Sequence, residues 1–208
     1  SIRSFKVFAD GALGSRGACL KHAYTDKPNH FGMLTTTYED INRIAEFCHK
    51  HNYQMNTHAI GDSTNKIIID VLEKEAKVNP GHRWRIEHAQ VLDLFDIDRI
   101  KSSGAIPSVQ PTHAVSDMRW AADRLGVERM KGAYAYQSLI NQCGMIAIGT
   151  DFPIEHFNPF LTIHAAVQRK NSEDIPGGGF EVAERISFVD CIKGMTSWAS
   201  LASFEEER

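Results

Sequence analysis

The chain has 208 residues, of which 42% are hydrophobic and 24% charged, and a formal net charge of −3. That length suits one domain with a sizeable core. The charge excludes a basic field for nucleic acid, and no apolar run reaches the roughly 18 residues of a membrane span. Cys19, Cys48, Cys143 and Cys191 are scattered and form no C-x-x-C pair. They read as free thiols in a reducing, cytoplasmic setting.

Ser4–Ala9 reads as a strand, with Phe5 and Val7 alternating against Lys6 and Phe8. A glycine-rich loop follows. Ile41, Ile44, Ala45 and Cys48 then keep helical spacing between Tyr38 and His51. Tyr53–His58 is the next strand. Asp62 or Ser63 caps a helix that carries Ile67, Ile68, Val71 and Leu72. Trp84–His88 is a strand, and Asp93 caps the helix after it. Ala105–Gln110 is a strand broken by Pro107 and Pro111, and the extended run leads to His113. Helices are expected over Ser116–Leu125 and Tyr134–Cys143, a strand over Met145–Gly149, and helices over Pro159–Gln168 and Ser187–Ala199. The alternation predicts an α/β fold with five parallel strands.

Four strand-like segments stop at a side chain able to bind metal or move a proton: His58, His88, His113 and Asp151. In a parallel barrel every strand delivers its C-terminal residue to one rim, where the active sites of that fold sit. Neutral imidazole is a common zinc ligand, and a carboxylate can bind metal or take a proton from bound water. Each residue has a plainer reading as well. The histidines suit core positions bonded to backbone, and Asp151 suits a turn before Phe152-Pro153. Lys6 sits within an apolar strand, facing the interior if Phe5 and Val7 face the helices. It reads as a lysine reaching the rim, as a partner of Asp10, or as a carboxylated metal bridge. Asp117-Met118-Arg119-Trp120, beginning a helix after His113, reads as a solvated helix start or as a substrate rim in which Arg119 offers a fork to a carboxylate or carbonyl. His49-Lys50-His51 imitates an H-x-H ligand pair, but on a helix its two imidazoles diverge by about 200°.

The stretches FKVFADGALGSRGA (5–18), NTHAIGD (56–62), RIEHAQVL (85–92), SVQPTHAVSDMRWAADRLG (108–126) and GTDFPIEHFNPF (149–160) resemble the amidohydrolase superfamily. The likeness is to its amidohydrolase-3 group. The resemblance implies a portion of a TIM (β/α)8 barrel, with residues 1–208 corresponding to strands four to eight and without the first three strands or the flanking β-sandwich. It implies metal ligands at Lys6 (carboxylated), His58, His88 and Asp151, with Asp151 also the general base. Substrate contacts are expected at His113, Arg119 and Trp120. The implied cofactor is a divalent metal, with zinc expected. The implied reaction is hydrolysis of a C–N bond in a small amide-type substrate, by metal-activated hydroxide attacking the carbonyl. The family's first-strand H-x-H pair has no match here, so a catalytically silent, metal-free interaction or regulatory module is the alternative. Five strands cannot close a barrel, which leads us to expect a homo-oligomer.

Overall fold

The computed structural model describes residues 2–207. Five strands form one parallel sheet in the order β1-β2-β3-β4-β5: Ser4–Phe8, Gln54–Ala59, Arg85–His88, Ile106–Val109 and Ala147–Ile148. Helices α1 (Tyr38–His51), α2 (Asp62–Val78) and α3 (Leu94–Ile100) follow β1, β2 and β3 in turn. Three short helices, α4 (Pro111–Asp117), α5 (Ala121–Met130) and α6 (Tyr136–Cys143), separate β4 from β5. After β5 come α7 (Pro159–Gln168), α8 (Phe188–Met195) and α9 (Ser197–Ala202). No helix among the described residues is long and apolar enough to cross a membrane.

The period-2 alternation of the strands divides the sheet into two faces. One is apolar: Val7, Met55, Ile86 and Val109 are buried together with Ile41, Cys48, Ile68, Leu72 and Ile100 of α1, α2 and α3. Each such side chain stabilises the fold by about 1.5–3 kcal/mol. The opposite face is polar. Register aligns Lys6 with Asn56 and Arg85, and Phe8 with His58 and Glu87. Arg85 Nε donates to Glu87 Oε1 at 2.8 Å on that face.

The caps follow the local sequence. Thr37 accepts from the Asp40 N–H to start α1, Asp93 accepts from the Phe95 N–H to start α3, and Ser187 accepts from the Asp190 N–H to start α8. α2 departs from expectation. Gly61 is its N-cap, while Asp62 Oδ1 accepts from the N–H groups of Lys21 and Ser63. The helix expected over Ser116–Leu125 is two helices, and the one expected over Ser187–Ala199 breaks at Thr196.

Asp10, just past β1, ties the first strand to the second. Its carboxylate accepts from the N–H groups of Cys19, Ile60 and Gly61 at 2.9–3.0 Å and from Thr64 Oγ1 at 2.8 Å. Burial pushes Asp10 up to about 6, against the opposing pull of these hydrogen bonds. A β-carbon on Gly61 would lie 2.0 Å from the Cys19 carbonyl oxygen, so this close approach needs glycine.

Candidate active site

The C-terminal ends of the strands open on a cavity of about 640 Å³, lined among others by Lys6, His58, His88, His113, Asp117, Trp120 and Asp151. His58 is on the polar face of β2 and reaches the cavity by simple alternation. His88 does not. It is in register with Ala59, whose side chain faces the helices. The His88 backbone, however, is left-handed, at φ 77°, and Ala89 follows at φ 44°. That turn swings the His88 imidazole to the cavity side, 4.5 Å from the His58 ring centre. A left-handed backbone at a residue with a β-carbon costs about 1–2 kcal/mol, and such strain gathers at functional sites.

Both imidazoles are pushed down to about 4, by burial first and then by a neighbouring histidine: His88 acts on His58, and His113 on His88. Both are therefore neutral at pH 7, the form that binds metal. His88 Nδ1 is 2.8 Å from Gln110 Oε1, which fixes the ring and leaves its other nitrogen available. His58 Nε2 is buried without a hydrogen-bond partner; Asp10 Oδ1 stands 3.5 Å away. An orphaned imidazole nitrogen beside a second neutral imidazole fits a cation. Among the described residues, however, no group of three or more histidine, cysteine or carboxylate side chains lies close enough to hold one.

Lys6 projects from the middle of β1 with its Nζ 5.3 Å from the Phe8 ring centre. It is exposed, and among the described residues no carboxylate pairs with it, Asp10 included. Asp151 lies three residues beyond β5, exposed, at φ 54°. His113 corrects the strand-end expectation. It is the third residue of α4, because Pro111 ends the extended run and occupies the first turn of a helix. His113 still reaches the cavity, stacked 5.7 Å from His88, with Nε2 buried and unpartnered. Arg119 is corrected too. Trp120 lines the cavity, but its neighbour Arg119 points outward and is exposed, outside the lining. His49 sits on α1 as expected, its Nδ1 2.9 Å from Glu75 Oε1 and away from the cavity.

Sequence reasoning passes over Gln110, Gln90 and Tyr134, and takes in Asp117 only as the first residue of the Asp117–Trp120 rim, not as the centre of a hydrogen-bonded group. Tyr134 Oη and Gln90 Nε2 donate to Asp117 Oδ2 at 2.7 and 3.1 Å. No local pattern announces this group, since its members come from the ends of β3, α4 and α5 and meet only in the folded chain.

A parallel sheet whose strand ends gather imidazoles and carboxylates around one cavity is an architecture shared with metal-dependent hydrolases. One is an uncharacterized metal-dependent hydrolase from Pyrococcus horikoshii OT3, 31% identical with a TM-score of 0.86, over 98% of this chain and 41% of that one. Residues 1–208 match the amidohydrolase family throughout, and the chain belongs to that family. It is 35% identical to the putative amidohydrolase YtcJ of Bacillus subtilis, over 98% of this chain and 38% of the relative. It is 37% identical to the protein LONG AFTER FAR-RED 3 of Arabidopsis thaliana, over 96% of this chain and 34% of the relative. The chain thus spans little more than a third of the length of these curated relatives.

Proposed function

We infer that the cavity serves metal-dependent hydrolysis of a C–N bond in a small amide-type substrate. The observation that carries this reading is the pair His58 and His88, neutral and 4.5 Å apart, which exists because His88 adopts a left-handed backbone. When bound, a divalent cation such as zinc supplies water of lowered pKa and polarises a carbonyl. His58 and His88 would hold it, with Asp151 and a carboxylated Lys6 as the further ligands. Gln110 keeps the His88 ring in one orientation. Asp151 takes the proton from the attacking water and passes it to the leaving nitrogen. His113 turns its unpartnered Nε2 to the substrate, and Trp120 forms a wall beside it.

One observation favours a second reading, a metal-free interaction or regulatory module on the same scaffold. Among the described residues, ligand-type side chains do not close into a group of three. Zinc titration by calorimetry, combined with an assay of anilide hydrolysis, decides between the two. Saturable zinc binding and zinc-dependent turnover, both abolished by His58→Asn and by His88→Asn, support the hydrolase. Binding and turnover that are absent, or indifferent to these substitutions, support the module. The sheet's end strands, β1 and β5, each have one neighbour among the described residues. Self-association is the partner reading that goes with this, and sedimentation measures it.

A further inference from the structure

The buried carboxylates of this protein are almost all spoken for. Asp10 takes three backbone N–H groups and Thr64. Asp96 pairs with Lys21 and Arg99, Glu87 with Arg85, and Glu75 with His49 and Asn79. Asp117 differs. Its two donors, Tyr134 Oη and Gln90 Nε2, are both neutral and both fall on Oδ2. Among the described residues nothing donates to Oδ1, and no lysine or arginine pairs with the group.

The surroundings of Asp117 sharpen the contrast. Its carboxylate lines the 640 Å³ cavity together with Glu155, Trp120, Leu13 and Ile154. Burial pushes Asp117 up to about 6, and the charge of Glu155 adds to the effect, so at pH 7 it is largely ionised. The Lys6 charge acts on His58, His88 and Glu87 at the other end of the site but is not among the influences on Asp117. One end of the cavity therefore holds His58, His88 and Lys6. The other holds Asp117 and Glu155 against apolar walls, with His113, on which the Glu155 charge also acts, beside them and, among the described residues, no lysine or arginine in the lining at that end. Tyr134 is itself anchored, its carbonyl oxygen accepting from the fully buried Arg169. That fixes the direction in which Asp117 presents its free oxygen.

The geometry points to Asp117 as the specificity residue of this cavity, binding a positively charged ammonium group on the part of the substrate distant from the scissile bond. The class of substrate is then an amide bearing a cationic amine, with Glu155 reinforcing the selection for charge. The identity of the substrate as an amide rests on the functional reading above; the recognition of a cation by Asp117 does not.

The test uses a probe with no scissile bond, so it does not depend on turnover. Binding of benzylammonium and of benzyl alcohol, nearly isosteric but different in charge, is measured by calorimetry at pH 7.5 on the full chain. The expected preference for benzylammonium is about tenfold or more, the range of a partly buried charged hydrogen bond. Asp117→Asn, which keeps the shape and an acceptor for Tyr134, should bring that ratio to about one while benzyl alcohol binding changes little. Glu155→Gln, on an exposed segment and safe for folding, should reduce the ratio in part. Equal affinity for the two probes in the unaltered protein, or no binding of either, overturns the proposal. So does a preference that survives Asp117→Asn. A preference that behaves as expected in a protein that neither binds zinc nor cleaves amides would leave this inference standing and remove the hydrolase reading alone.

Discussion

On the β2–β3 side of the cavity, His58 and His88 are held by strand register, by burial and by Gln110. On the side after β5, Asp151, Phe152 and Ile154 are exposed, on a segment that follows a strand of two residues. The first side has preorganised donors, with orientation fixed before any ligand arrives. The second has a carboxylate whose position depends on a few local bonds, among them Phe152 N–H to Thr150 Oγ1 at 3.3 Å. Preorganised donors are worth most where charge must be bound tightly. A less constrained carboxylate suits a group that must accept a proton in one place and release it in another.

The sharpest way to break this division is Asp151→Asn, assayed with zinc present as a test of the proposed hydrolysis. An amide cannot accept the water proton, so kcat should fall by about 10²–10⁴. The melting temperature should hardly move, because Asp151 is exposed and, among the described residues, no side-chain hydrogen bond or ion pair is made to its carboxylate. Near-normal turnover in steady-state kinetics would take the base role away from Asp151.

Asp10→Ala tests the other side. It leaves the buried N–H groups of Ile60 and Gly61 and the Thr64 hydroxyl without their acceptor. Each loss costs about 1–3 kcal/mol, so the sum should reach about 3 kcal/mol or more in urea unfolding. A loss below about 1 kcal/mol would show that the β1–β2 connection is not what fixes His58.

The two sides also differed in how far the sequence revealed them. The position of His58 at the cavity was legible because strand alternation is a local property; strand-end placement pointed to His88 as well, although it reaches the cavity only through its left-handed backbone. The same logic applied to Phe8-Ala9-Asp10 would have flagged Asp10, and wrongly as a site residue, since its oxygens face backbone N–H groups rather than the cavity. The sequence places His113 at a strand end if Pro107 and Pro111 are both breaks in one extended run. In fact Pro107 lies within β4, while Pro111 opens α4. The left-handed turn at His88 carries no glycine or asparagine to announce it. Asp117, Gln90 and Tyr134 are far apart in the chain, and only packing brings them together.

Gln110→Ala is a smaller perturbation of the ordered side. It removes the acceptor at His88 Nδ1 and frees the ring to rotate or change tautomer. If His88 ligates metal as proposed, such a partner is worth about 10–100-fold in metal affinity. Zinc binding by calorimetry should weaken by that factor while far-UV circular dichroism stays the same. An unchanged affinity would mean that stacking on His113 and the edge contact with His58 already hold the ring.

The smallest effect is expected on the exposed side, at Phe157. Its ring is 66% exposed, 5.6 Å from Phe152 and 4.6 Å from His156. These contacts remove little apolar surface from water, and both partners are themselves exposed. Phe157→Ser should therefore change unfolding stability by no more than about 0.5 kcal/mol. By contrast, Met55→Ala, at a fully buried helix-facing position of β2, should cost about 2–5 kcal/mol. Measured together by urea unfolding, the pair compares an exposed apolar side chain of the segment after β5 with a buried one beneath the β2–β3 side. If Phe157→Ser proved as costly as Met55→Ala, the segment after β5 would have to be held by packing that its exposure conceals. Asp151 would then be as firmly placed as the histidines.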